Sequence, residues 1–112
     1  MKILIADDNA AMRSLIRKIC QSVSQDIFEC ADGIEAIACF QKIKPDWVLM
    51  DILMPCMDGL KAAEQIKVAF PQAQIIIVTE FDSKEYRMAA RRAGAVHFLG
   101  KDNLTQLPNL LM

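Results

Sequence analysis

The chain has 112 residues, 54% of them hydrophobic, and its 13 Lys and Arg against 14 Asp and Glu leave a formal net charge of -1; this is the size of one compact domain with a single core, and a second folded domain does not fit. A near-neutral balance without a long run of either sign argues against nucleic-acid phosphates or anionic lipid as partners, and no apolar run approaches the roughly 20 residues of a membrane-spanning helix. Four cysteines (Cys20, Cys30, Cys39, Cys56) form no CxxC pair and no signal-peptide pattern opens the chain, so a soluble, reduced, cytoplasmic protein with its thiols mostly in the core is expected.

The first apolar run, Ile3 to Ala6, reads as a strand and ends on the acid pair Asp7 and Asp8. Met12, Leu15, Ile16, Ile19, Cys20 and Val23 follow at the three-and-four spacing that predicts a helix burying all six on one face. Ile27 to Cys30 is the second strand, and a helix is predicted over Gly33 to Ile43 with Pro45 as its stop. The third strand, Trp47 to Met50, ends on Asp51; the next helix is predicted over Leu60 to Phe70 and stops at Pro71. After the fourth strand, Ile75 to Val78, comes Thr79, then Ser83 as the N-cap of a helix whose stripe is Tyr86, Ala89, Ala90 and Ala93, with Gly94 as its left-handed end. Val96 to Leu99 is the fifth strand, Lys101 follows it, and a short fifth helix, interrupted or delayed by Pro108, is expected between Asp102 and Met112.

Strands that are apolar on both faces and alternate with helices predict an α/β fold. Right-handed crossovers place helices on each side of a parallel sheet, giving an open doubly wound sandwich. Ligands bind such sheets beyond the carboxyl ends of the strands, near the point where strand order reverses. Asp7, Asp8, Asp51, Thr79 and Lys101 all fall there. Packed together, the carboxylates repel one another, and an all-oxygen set without His or Cys selects Mg²⁺ as the neutralising ion, Asp7 and Asp8 sharing it, one directly and one through water. A competing reading makes Asp8 and Asn9 caps of the first helix and Asp51 the cap of a turn. Taken singly, Thr79 is an ordinary strand residue and Lys101 a solvated charge. Beside a metal and a carboxylate, however, a hydroxyl and an ammonium make a site that can accept a phosphoryl group.

The segments ILIADDNAAMR, WVLMDILMPCMDG, IIIVTEFD and AGAVHFLGKD resemble the four signature stretches of the response-regulator receiver family, and the match runs from Lys2 to about Leu104. The resemblance implies a flavodoxin-like (βα)5 domain over residues 1–112, its five parallel strands in the order 2-1-3-4-5. It further implies that Asp51 accepts a phosphoryl group from a histidine kinase or phosphotransfer protein. Asp8, Asp51 and the backbone carbonyl of Leu53 would bind Mg²⁺, with Asp7 acting through water. Thr79 and Lys101 would hold the phosphoryl oxygens, and a shift of Thr79 with Phe98 turning inward would reshape the surface of the fourth helix, fifth strand and fifth helix. Pro55 and Gly59 occupy the family's positions after the acceptor, and Gly59 is expected to give the loop freedom where it re-enters a helix. The run TEFDSKEYRMAARRAGAVHFLGKD is similar to receivers that precede a helix-turn-helix domain, so DNA would be reached only through an output domain outside this chain. A homodimer is a further possible assembly.

The sequence departs from the family at Glu80 and Phe81, where the residue after the threonine is usually small or uncharged. A carboxylate there would repel an incoming phosphodonor or attacking water, or else face solvent as a partner contact. Leu53 offers no polar group to orient water, so slow loss of the phosphoryl group is expected. Two other function classes stand beside the switch: a degenerate receiver serving as a phosphorylation-independent interaction or dimerisation module, and a small phosphatase with Asp51 as nucleophile. No cap or pocket-building insertion supports the phosphatase. His97 and Trp47 are expected to be structural, and Cys56 only to fill the loop.

Overall fold

A computed structural model describes all 112 residues. The elements alternate as β1 (Lys2–Ala6), α1 (Ala10–Cys20), β2 (Asp26–Cys30), α2 (Gly33–Ile43), β3 (Trp47–Met50), α3 (Gly59–Ala69), β4 (Ile75–Thr79), α4 (Lys84–Arg92) and β5 (His97–Gly100), then a 3-10 turn (Lys101–Gln106) and α5 (Leu107–Leu110). All neighbouring strands pair in parallel, in the order β2-β1-β3-β4-β5. Strand order therefore reverses between β1 and β3, where Ala6 pairs with both Cys30 and Met50. Asp7 and Asp51 follow directly from those ends, and Thr79 pairs with Gly100 at the same edge.

Because side chains alternate across a strand, each strand feeds two cores. Leu4, Ala6, Val48, Met50, Ile75 and Ile77 pack with Ala36, Phe40, Ala62 and Ile66 on one face of the sheet. Ile3, Ile5, Leu49, Ile76, Val78 and Leu99 pack with Ile16, Cys20, Leu104 and Leu107 on the other. Polar side chains start four of the helices: Asn9, Asp32, Asp58 and Ser83 each accept a hydrogen bond from the backbone N–H three residues on.

Some expectations shift. Leu15 is 46% exposed: it sits about 100° around the helix from Ile16, at the edge of the stripe rather than in it. β5 begins at His97, where its pairing with Ile76 starts; Val96 sends its N–H to the Ile75 carbonyl but leaves its side chain exposed to solvent. Lys44 takes the left-handed conformation at the end of α2, φ 49°, so Pro45 follows the stop rather than making it. Pro108 lies in the first turn of α5, where its missing N–H costs nothing, and a kink at Asn103 is what delays the helix. Gly94 is left-handed as expected, φ 98°. Of the free thiols, Cys20 and Cys30 are buried, Cys39 half-buried and Cys56 exposed. Burial pushes Cys20 up to about 11 and Cys30 up to about 12, which leaves both unreactive. No helix is long and apolar enough to cross a membrane.

Candidate functional site

Asp7 is held at its backbone and side chain alike. Its N–H donates to the Cys30 carbonyl at 3.1 Å, and its Oδ1 accepts from the Asn9 N–H at 2.9 Å. Its Oδ2 lies 2.9 Å from Lys101 Nζ, yet this buried oxygen accepts no well-aligned hydrogen bond. Asp51 donates its N–H to the Ala6 carbonyl at 2.9 Å; its Oδ1 accepts from the Ile52 N–H at 2.9 Å and its Oδ2 from Lys101 Nζ at 3.2 Å. Asp7 is 1% and Asp51 6% exposed, whereas Asp8 is open to solvent. Asn9, not Asp8, caps α1, so Asp8 is left free to face the cleft. One carboxylate oxygen from each of Asp7, Asp8 and Asp51 lies within 4.8 Å of the others.

These acids floor an open cleft of about 530 Å³. Lys101 is its one cation, against the carboxylates of Asp7, Asp8, Asp51 and Glu80, and Met12, Leu53 and Phe81 supply apolar walls. Burial, with the Asp7 carboxylate second, pushes Asp51 up from the ordinary 3.8 to about 6, against the opposing pull of Lys101 and the Ile52 N–H. Burial pulls the Lys101 ammonium down, but its pairing with Asp7 and Asp51 outweighs this and holds it above the ordinary lysine value. A buried oxygen without an aligned donor, and an all-oxygen donor set short of positive charge, fit a hard divalent cation such as Mg²⁺.

The raised Asp51 value gives a pH dependence. A group that binds its proton more tightly when folded stabilises the fold fully below its unfolded value, and loses that contribution as pH rises through its folded one. Relative to Asp51→Asn, the chain in EDTA is expected to lose stability between about pH 4 and pH 7, the change centred below the folded value of about 6. Thermal unfolding of both proteins across that range measures it; a stability difference that does not move with pH would contradict it.

Thr79 is fully buried at the end of β4, and its Oγ1 accepts the Phe81 N–H at 3.2 Å. The Phe81 ring packs against Tyr86 with centroids 6.0 Å apart, and Glu80 is exposed at the cleft rim. Phe98 is half-buried on β5; the Arg87 guanidinium lies 4.7 Å from its ring centroid and forks onto Asp82 at 2.6 and 2.8 Å. The Leu53 side chain lies half exposed at the cleft. Away from this edge, at the start of β3 and β5, Trp47 stacks on His97 with centroids 6.2 Å apart.

Gly59 is required for a different physical reason than loop freedom. Gly59 is not in the left-handed region; a Cβ there would lie 1.7 Å from the Asp51 carbonyl oxygen, so contact rather than conformational freedom requires glycine. The left-handed residue of the loop is Cys56, φ 67°. Sequence reading gave Arg13 no role, yet its Nη1 donates to the Asp7 carbonyl at 2.7 Å. The only signal was a cation six residues past Asp7, early in the first helix.

A parallel doubly wound sheet with three acids and a lysine at its switch point defines an α/β domain built to hold charge at one edge. Residues 3–111 match the family described as the response regulator receiver domain, and the chain belongs to that family of regulatory domains. It is 37% identical over 108 residues to the uncharacterized transcriptional regulatory protein YxjL of Bacillus subtilis, covering 95% of this chain and 50% of the relative. It is 35% identical over 100 residues to the chemotaxis protein CheY of Halobacterium salinarum, covering 89% and 83%. The chain thus spans about half the length of the transcriptional regulators it resembles. Among solved structures, the BeF3-activated N-terminal receiver domain of Klebsiella pneumoniae RstA superposes with a TM-score of 0.89 at 25% identity, covering 98% of this chain and 95% of that one.

Proposed function

We propose that this domain is a phosphoryl-accepting switch with Asp51 as the acceptor. The observation that carries the reading is Lys101, whose ammonium bridges the buried carboxylates of Asp7 and Asp51 at the floor of an open cleft. Asp8, Asp51 and the Leu53 carbonyl would hold Mg²⁺, with Asp7 assisting through water; the ion, when bound, neutralises charge that develops on the phosphoryl oxygens. A carboxylate oxygen of Asp51 attacks phosphorus in line, the P–N bond to a phosphohistidine of a kinase or phosphotransfer protein breaks, and the leaving imidazole keeps the electron pair and takes up a proton. Lys101 stays on the phosphoryl group as a counter-charge. The Thr79 hydroxyl, released from the Phe81 N–H, donates to a phosphoryl oxygen. The BeF3-activated state of the RstA receiver supports a site that accepts a phosphoryl-like group.

The acyl phosphate adds roughly -1.5 to -2 charge, by analogy with other phosphorylated side chains, so a local event must be read at a distance. Moving Thr79 toward it frees space into which Phe98 turns, leaving Arg87, and the face of α4, β5 and α5 changes shape. That face biases an equilibrium read by a partner, a second copy, or an output domain that reaches DNA. Incubation with acetyl phosphate and Mg²⁺, followed by intact mass, is expected to show a gain of about 80 Da that is lost in Asp51→Asn and without the metal. No gain from acetyl phosphate or from histidine kinases would favour the phosphorylation-independent module, for which the Glu80 carboxylate in the cleft is the supporting observation. Because the Leu53 side chain brings no polar group to orient water in the cleft, Leu53→Asn is expected to leave the phosphoryl half-life no longer than before; lengthening in a timed mass measurement would contradict this.

A further inference from the structure

Arg13 and Glu29 lie outside the cleft yet connect to it. The Arg13 guanidinium donates through Nη1 to the Asp7 carbonyl at 2.7 Å and through Nε to Glu29 Oε1 at 3.0 Å. The other Glu29 oxygen takes Arg17 Nε at 2.5 Å, and Arg17 Nη2 donates to the Ile27 carbonyl at 3.0 Å. One carboxylate on β2 thus ties two turns of α1 to the sheet, and only Arg13 continues to the peptide between Asp7 and Asp8. That carbonyl lies one residue past the end of β1, in the peptide that joins the two acids. The Arg13 fork engages both sites from a partly buried position, its side chain 20% exposed. The two hydrogen bonds from Arg17 and Arg13 hold Glu29 ionised, below the ordinary carboxylate range, despite partial burial.

We propose that Arg13 is a positioning residue, fastened by Glu29, that sets the Asp7–Asp8 turn for a divalent cation; the proposal rests on the Mg²⁺ reading above. A planar guanidinium fits this task because it donates to a carbonyl and a carboxylate at once in fixed geometry, which an ammonium does not. The alternative, that Arg13 acts only as a nearby positive charge, makes an opposite prediction. Removing a cation beside an acidic site strengthens attraction for Mg²⁺, so a purely electrostatic Arg13 would give tighter binding in Arg13→Ala and no change in Arg13→Lys. Positioning weakens binding in both, by about tenfold, as for other groups that orient metal ligands. Arg17→Ala separates this from general loosening, because Arg17 shares Glu29 but does not touch Asp7.

The experiment is a MgCl2 titration of the whole chain, followed through the amide NMR shifts of Asp7, Asp8 and Asp51, with thermal unfolding of each variant in EDTA. Expected are weaker Mg²⁺ binding in Arg13→Ala and Arg13→Lys, a smaller weakening in Glu29→Gln, and wild-type affinity in Arg17→Ala even where its melting temperature falls. Wild-type affinity in both Arg13 variants, or a loss in Arg17→Ala as large as theirs, overturns the positioning role while leaving the Mg²⁺ reading intact. A wild-type chain whose shifts do not respond to Mg²⁺ overturns both.

Discussion

Lys101→Met is expected to destabilise the metal-free chain by about 3 kcal/mol at pH 8, the low end for removing one partner of a buried ion pair. Lys101 sits 2.9 Å from Asp7 Oδ2 and 3.2 Å from Asp51 Oδ2, with only 10% of its side chain exposed. Without it, two buried carboxylates face each other across the cleft floor. The loss is bounded because Asp51, already up at about 6, can take a proton. Lys101 is one of the groups that pulls that value down, so its removal raises Asp51 further. A raised carboxylate costs less stability as pH falls, and the penalty is therefore expected to shrink toward pH 6. Saturating MgCl2 should also shrink it, since a divalent ion supplies the missing positive charge. Urea unfolding of both proteins at the two pH values, with and without Mg²⁺, measures all of this. A penalty equal at both pH values would show that Lys101 contributes through packing rather than charge.

Gly59→Ala is expected to cost about 3 kcal/mol or more and to abolish phosphoryl uptake, the upper end of what overpacking produces. The added methyl would fall 1.7 Å from the Asp51 carbonyl oxygen and 2.8 Å from Met50 Cγ, and the first of these is backbone. Relief requires moving α3, whose first N–H donates to the Ile52 carbonyl at 2.7 Å, or moving Asp51 itself. Gly33 is similar, since its Cβ would lie 2.3 Å from the Met57 carbonyl oxygen. Gly100→Ala provides the contrast: the nearest atom, at 2.6 Å, is Oδ1 of the exposed and movable Asp102 side chain. Although Gly100 is itself buried, the cost is expected to stay below about 1 kcal/mol, because only that exposed side chain has to move. Chemical unfolding ranks the variants, and intact mass after acetyl phosphate reports uptake. A Gly59→Ala protein as stable as Gly100→Ala would contradict the close packing of α3 on Asp51.

The sequence by itself determined the architecture and the edge on which chemistry gathers. Runs such as Ile75 to Val78 are apolar at every position and too short for a helix, as a strand covered on both faces is, and their alternation with helical periods points to parallel pairing through crossovers. Asp7, Asp51 and Lys101 each follow a strand directly and Thr79 ends one, so parallel pairing alone gathers them at one edge. Where periodicity was weak at its margins it misplaced residues: Leu15 satisfies the spacing but lies where α1 turns to solvent, and Val96 is apolar but precedes the β5 pairing.

Tertiary structure alone decided what each group touches. That Asp7 keeps an oxygen without an aligned donor, and that Asp51 is raised to about 6, follow from burial and from the distance between residues 44 apart in the chain. Gly59 is needed for a contact across a loop rather than for its own dihedrals, and the Arg13 guanidinium joins the Asp7 carbonyl to Glu29 because β2 lies beside α1. Local pattern records which face a residue must bury and where an element must stop. Close contacts between segments distant in sequence leave no such periodic trace, because they depend on how the packed elements finally meet.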